Sequence, residues 1–549
     1  MRADNTKVVG VDFGTSTCLV FESGPNARTV GVPIGLSTMW MPSIAGRRDD
    51  AILVGEAAEG LGYRHVVRSI KSCITRNQDN VNVPVDNPEY TLPADDFIAA
   101  LLKRVASQAL DNGVDVRTPG AVRMGCPAIW TGVQRKRLLS AAREAGIAVG
   151  DNTLVDEPVA AGVAWIVERT IRRGKSVDGR LLVFDMGGGT LDVAVLRVQG
   201  GGGSIPEIQV QSATGLAEAG DILDQQIALH FRNSLIEQGI DVDSLSLQEA
   251  LGGALLRAAR EAKVELSGSR DAVVPLLYEG AELPAMKYSR EQLDDAFAEQ
   301  LDRAEARVWA ALRAARTTHL RGCKPSEVRA VSQSELASDV DYVLLAGGMS
   351  LVPAVEVRLA RMFPQADVFM NAGVGPQEMV AAGLSETIGY DRLNLHRPGF
   401  DFVLEWPGDS GEVRSLTLYD AYTPFYDFQR AVSGDDIDYQ WRSGKRLPSR
   451  GFGILRVISV HEGAIDISVD NKRAKGLHVD FGHREVTLTL STNGRISIFD
   501  GQGRQQVIRV EKWPVLRGRD HAVLVAKNLQ EHAQARPVPE LPWHQRESG

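Results

Sequence analysis

A chain of 549 residues with 44% apolar and 24% charged content is long enough for several hydrophobic cores, so two to four domains are expected. No apolar run of about 18 residues occurs and the opening "MRADNTK" lacks the apolar middle of an export signal, so neither a membrane span nor secretion is supported, and a cytoplasmic protein is expected. The net charge of −9 falls almost wholly before residue 390, no lysine or arginine stripe marks a nucleic-acid partner, and Cys18, Cys73, Cys126 and Cys323 lie far apart without metal-ligand spacing.

In chain order, the first distinctive element is "VDFGTSTCLV" (11–20), where Asp12, Gly14, Thr15, Ser16 and Thr17 crowd the turn of an apolar hairpin. Helical spacing of apolar residues follows at 94–110 and 133–146, which with the β-rich segments around them makes an α/β region. The turn logic returns in "LLVFDMGGGTLDVAVLRV" (181–198): apolar strand, Asp185, Gly187, Gly188, Gly189 and Thr190, then a second apolar strand carrying Asp192. The chain therefore contains an approximate internal duplication. Tight glycine turns bring backbone N–H groups close to phosphate oxygens, short hydroxyls add donors without bulk, and strand-end aspartates suit a hydrated Mg²⁺. Two such loops facing each other form a jaw for a nucleotide tail, although either one taken singly also suits a plain hairpin with a polar tip.

The "GGGGS" at 200–204 lies between two strand-like runs and reads as a hairpin tip rather than a linker. Further on, "DYVLLAGGMSLVPAVEVRLARMF" (341–363) places Gly347, Gly348 and Ser350 between a strand and a helix, where backbone passes near a flat ligand, and "GVGPQEMVAAGL" (373–384) adds a small-residue helix. Residues 389–399 read as an interdomain linker. From about 400 to 527 short alternating runs such as "FDFVLEW", "ILRVISV" and "RISIFD" mark an all-β domain, with Asn493-Gly494 a hairpin turn. The tail, 528–549, is polar and proline-bearing and is expected to carry no packed structure.

These residues resemble the actin-like ATPase superfamily and, within it, the 70-kDa heat-shock chaperones. Besides the three loops, the resemblance rests on "MPSIAG" (41–46), "VGEAA" (54–58), "IKSCI" (70–74), "CPAIWTGVQRKRLLSAAREAGI" (126–147), "VDEPVAAGVAW" (155–165), "AGDILD" (219–224) and "AAREAKVELS" (258–267), in family order. It implies a two-lobed actin-like (ribonuclease-H-like) ATPase domain over 1–388, followed by a β-sandwich domain for polypeptide. It further implies ATP/ADP and Mg²⁺ as ligands. Lys71, Glu157, Asp192 and Thr190 take the catalytic slots, and Asp12 and Asp185 anchor the metal through water. Thr15, Ser16, Gly187, Gly188, Gly189 and Thr190 donate to phosphates, and Gly14, Thr17, Gly220, Asp221, Lys263, Ser267, Gly347, Gly348 and Ser350 complete the nucleotide site. Pro127 and Arg135 fall in the slots that relay nucleotide state to the second domain.

The resemblance also implies an unfolded or specific polypeptide client, a J-domain cochaperone and a nucleotide exchange factor as partners. Several positions depart from it. Leu351 stands where the family places an arginine against adenine, Arg260 where it places a ribose-binding glutamate, and Thr17 where an amide is common. Asp156 and Thr153 replace an asparagine and an arginine, altering the pattern on which J-domain docking depends. After about residue 514 too few residues remain for a helical lid. The expectation is an ATP-dependent chaperone-like protein with a lidless β domain; the alternative is a nucleotide-switched module dedicated to one partner, with slow or no hydrolysis.

Overall fold

In the computed structural model, residues 7–543 are described apart from 25–27, 63–64, 84–90, 118–121, 151–152, 204, 246–247, 279–280, 320–324, 388–396, 409, 425–437, 461–462, 492–493, 513–522 and 530–532. Most of the expected linker, together with Asn493 and Cys323, therefore lies outside the described residues.

Each glycine-rich turn closes an antiparallel hairpin. Val9–Phe13 pairs with Thr17–Ser23, and Ser176–Met186 pairs with Leu191–Gly201. Around each hairpin the same sheet is built. In the first, the order is Leu154–Asp156, Val122–Cys126, Val9–Phe13, Thr17–Ser23 and Thr29–Val32, with Trp40–Pro42 also pairing to Thr17–Ser23. The second repeats it as Asp367–Phe369, Tyr342–Ala346, Ser176–Met186, Leu191–Gly201 and Glu207–Leu216. In both, one edge is parallel and the other antiparallel. The duplication read from the two loops is thus a duplication of whole sheets. Gly200 and Gly201 end one strand of the second hairpin and Glu207 begins the next, which makes the glycine run a hairpin tip.

Two helices join the lobes. Glu157–Val167 is buried on every side, as its run of Val, Ala and Ile residues with Trp165 requires, and it packs against Met379–Leu384. Gly383 makes that crossing possible, since a Cβ there would lie 1.9 Å from the Ala160 carbonyl oxygen. Helices Ala94–Asp111 and Gly132–Glu144 fall where the helical spacing places them and cover the first sheet. Gly220–Glu237, Gln248–Gly268 and Arg290–His319 cover the second.

From Phe400 onward all described elements are strands, twelve in number, and Phe402, Leu404, Leu455, Leu488 and Ile498 lie in one core between them. The alternating exposure along Phe400–Pro407 and Phe452–Ser459 is the period-two pattern of strands with one face inward. The expectation of an α/β ATPase-type fold followed by a β sandwich is borne out.

The tail needs a correction. Pro537–Val538 pairs with Gly476–Asp480, Ala535 and Leu541 are buried, and Arg536 bonds Asp480 at 2.7 Å. Composition made this stretch look unstructured, yet an edge position tolerates proline because it asks for few backbone donors.

The β region also meets the first lobe. Ala421 and Tyr422 join that lobe's core beside Trp130 and Leu138, and Lys136 pairs with Asp401 at 3.1 Å.

Candidate nucleotide site

The two turns face each other across a cavity of about 440 Å³. Their closeness is set by missing side chains: a Cβ on Gly188 would come 2.5 Å from Ser16 Oγ, and one on Gly189 would come 2.7 Å from Thr15 Oγ1. Asp12, Gly14, Thr15, Ser16 and Thr17 line the cavity from one side, and Asp185, Gly187, Gly188, Thr190 and Asp192 from the other. Gly347, with φ 78°, turns the strand Tyr342–Ala346 away at the edge of the cavity; a Cβ there would meet the Met186 carbonyl oxygen at 2.4 Å. Gly348 and Leu351 continue that wall, whereas Ser350 is buried and donates to the Ala346 carbonyl at 2.5 Å.

Lys71 reaches the cavity from the five-residue helix Lys71–Thr75, entered through Ser69 in the left-handed region (φ 55°). Its ammonium is only 2% exposed and stands 2.5 Å from Glu157 Oε1, with the Trp130 ring 5.7 Å away. Glu157 opens the long buried helix, and Asp192 accepts from Ala128 N at 2.7 Å. Four carboxyl groups thus face one lysine. Burial, reinforced by the Glu157 charge, pushes Asp12 and Asp192 up to about 7 and raises Asp185 well above the carboxylate range. Burial works against the Lys71 ammonium, but Glu157 and Asp12 outweigh it and raise its pKa. Such a surplus of buried negative charge is what a divalent cation relieves. Among the described residues no three His, Cys, Asp or Glu groups are grouped to ligate a metal directly.

Not every expected residue reaches the cavity wall. Gly220 and Asp221 donate their N–H groups to the Gly187 and Gly188 carbonyls, so the start of their helix braces the second turn from behind. Lys263 bonds Asp224 at 2.6 Å, Arg260 bonds the same carboxylate at 3.0 Å, and Ser267 donates to the Lys263 carbonyl. Both cations are thereby occupied. A second cavity, about 570 Å³ around Trp309, Arg358 and Arg361, contains none of the glycine turns and is a separate cleft of the second lobe.

Comparison with known families and known sequences decides the kinship. A family model described as Hsp70 protein matches residues 53–388. The chain belongs to the Hsp70 family. The "Chaperone protein DnaK" of Thermosipho africanus is 30% identical over 385 residues, covering 68% of this chain and 58% of that protein. Those of Thermosipho melanesiensis (70% and 59%) and Thermotoga petrophila (68% and 58%) are also 30% identical. The matched segment therefore spans less than two thirds of these relatives' length.

In this Hsp70-family chain two site features escaped the sequence reading. Trp40 lines the cavity from the strand beside the first hairpin, as do Gln377, Glu378 and Val380 from the segment before and within the helix Met379–Leu384. Behind the site, Asp156 holds Arg135 at 2.6 Å and stands 3.3 Å from Arg397, with all three residues buried. Arg135 also donates to the Pro127 and Trp130 carbonyls, and Arg397 to the Ala128 carbonyl at 2.6 Å. Asp156 was visible as an acid beside Glu157, but nothing local in the sequence pointed to Arg397 as its partner.

Proposed function

We propose that the chain is an ATP-dependent, chaperone-like protein in which Mg-ATP binding and slow hydrolysis in the first domain control polypeptide binding by the β domain. The observation that carries this reading is the pair of opposed glycine turns around the buried Lys71–Glu157 pair. Backbone N–H groups at Thr15, Ser16 and Gly188 to Thr190 bind phosphates, while the Gly187 N–H closes the turn onto the Thr190 carbonyl; Asp12 and Asp185 would orient the waters of the metal. Magnesium, when bound, supplies neutralisation of phosphate charge. Lys71 lies against the terminal phosphate, while Glu157, Asp192 and Thr190 position the attacking water; the chemistry asks for placement and charge more than for covalent help.

Coupling to the β domain runs through consecutive residues. Glu157 is in the site, and its neighbour Asp156 holds Arg135 and Arg397, the latter beside the start of the β domain. Asp192 bonds Ala128 N while the Ala128 carbonyl takes Arg397, a second link between the same two places. The partners of this reading are a polypeptide client and, as in the family, a J-domain cochaperone and an exchange factor. A cytoplasmic setting belongs to this reading; among the described residues no helix is long and apolar enough to cross a membrane. Single-turnover hydrolysis tests the assignment: Lys71→Ala is expected to abolish it while retaining ADP binding, and unchanged hydrolysis refutes the role of Lys71.

A further inference from the structure

We propose that Trp40 is a nucleotide-contacting residue, its indole covering the bound nucleotide from the side of the first hairpin beside Thr17. The inference rests on the nucleotide-site reading above. A tryptophan at 47% exposure is unusual for a side chain carrying so much apolar area, and here the exposed face opens into the cavity that holds both glycine turns. Register explains the placement. Leu19 pairs with Trp40 and Thr17 with Pro42, so the short strand Trp40–Pro42 lies directly beside the strand that leaves the first turn.

Three features make the ring a prepared wall rather than a loose surface residue. Its backbone is held on both sides, by the strand pairing and by Thr38 Oγ1, which donates to the Trp40 carbonyl at 2.6 Å. Its indole N–H donates to no protein group among the described residues, which leaves a donor for a ligand oxygen. Finally, among the described residues lining the cavity Trp40 is the one aromatic and Lys71 the one cation, and Lys71 is already paired with Glu157. Arg260 and Lys263 are occupied by Asp224. Among the described residues of this cavity, Trp40 is thus the one that can add ring contact to what the turns and Lys71 supply.

The test compares wild type, Trp40→Phe and Trp40→Ala in the full chain by calorimetry with ADP and Mg²⁺, and by energy transfer from tryptophan to a fluorescent N-methylanthraniloyl ADP. Losing a ring contact of ordinary strength is expected to weaken ADP binding by roughly tenfold in Trp40→Ala, with Trp40→Phe between the two because it keeps a ring but no N–H donor. Tryptophan-excited transfer should fall sharply in Trp40→Phe, although Trp130 near Lys71 remains. Unfolding midpoints verify that the variants are folded; if the alanine variant is not, transfer in the phenylalanine variant decides. Wild-type affinity in both variants with undiminished transfer overturns the contact while leaving the nucleotide site in place. A wild-type chain that binds no ADP overturns the nucleotide reading itself, and this inference with it.

Discussion

Asp156→Asn removes one negative charge from between two buried cations. Arg135 is 2% exposed and Arg397 6%, so neither guanidinium recovers water when its counter-ion is lost. At 3.3 Å the Asp156–Arg397 attraction is about 5 kcal/mol at an effective dielectric of 20. Breaking a buried pair typically costs about 3–5 kcal/mol because the remaining charge stays buried. The asparagine oxygen still accepts from Arg135, so the lower end, about 3 kcal/mol, is expected. For a domain of this size that corresponds to a fall of about 3–6 °C in the thermal midpoint, scaled from smaller domains. Differential scanning calorimetry of the full chain measures it. Arg397→Met in the Asp156→Asn background should then cost less than in wild type, because the cation it removes no longer has its carboxylate. A midpoint unchanged within 1 °C, or equal costs of Arg397→Met in the two backgrounds, refutes the reasoning.

The lobe crossing gives a steric prediction: Gly383→Ala drives a Cβ toward the Ala160 carbonyl oxygen at 1.9 Å, so the helices must separate at a cost of about 1–3 kcal/mol. Because Glu157 starts the displaced helix, ADP affinity should fall as well, and a variant with wild-type midpoint and affinity contradicts the packing. One part of the pH dependence comes from Glu386, buried beside Arg172 at 2.6 Å, whose pKa is raised from 4.5 to about 7, chiefly by burial, with Arg172 opposing; Asp12 and Asp192 act in the same window. The folded chain therefore holds a proton on Glu386 that the unfolded chain has lost. This group's contribution is full below about pH 4.5 and is lost as pH rises through about 7, amounting to roughly 3 kcal/mol at most. Glu386→Gln should flatten that fall; unfolding midpoints of variant and wild type that stay parallel from pH 5 to 8 sink the assignment.

What the sequence disclosed and what it hid divide along the range of the physics. The glycine turns were legible because the Asp, Gly and Thr run between two apolar strands is itself a local pattern, although what requires Gly188 and Gly189 is the distant first turn, whose Ser16 and Thr15 a Cβ would strike. Alternation in "FDFVLEW" or "RISIFD" is likewise a local consequence of one face turning inward. Trp40 was hidden because its strand is three residues long, and its role follows from pairing with Leu19 rather than from any pattern around it. Lys71 was named only through the resemblance, because its pairing with Glu157, 86 residues away, is a tertiary contact that no local pattern shows. The tail misled because composition speaks for the average of a segment, while Pro537–Val538 is held by one vacant sheet edge.

The same distinction bears on how the two proposed functions of the chain are joined. Asp156 ends a strand and Glu157 begins a helix, so the two carboxylates leave adjacent residues toward different neighbours: Glu157 to Lys71 in the cavity, Asp156 to Arg135 and Arg397. Charge-assisted bonds of 2.6 Å weaken steeply with displacement, and a buried guanidinium has no water to take over. If a terminal phosphate draws Lys71 from Glu157, the start of the helix gains freedom at the residue next to the Arg135–Arg397 clasp. A family asparagine at position 156 would transmit the same movement through hydrogen bonds alone. An aspartate makes it a movement of charge, so this chain's coupling should respond to salt and to the state of Arg397 more strongly than an amide-linked relay.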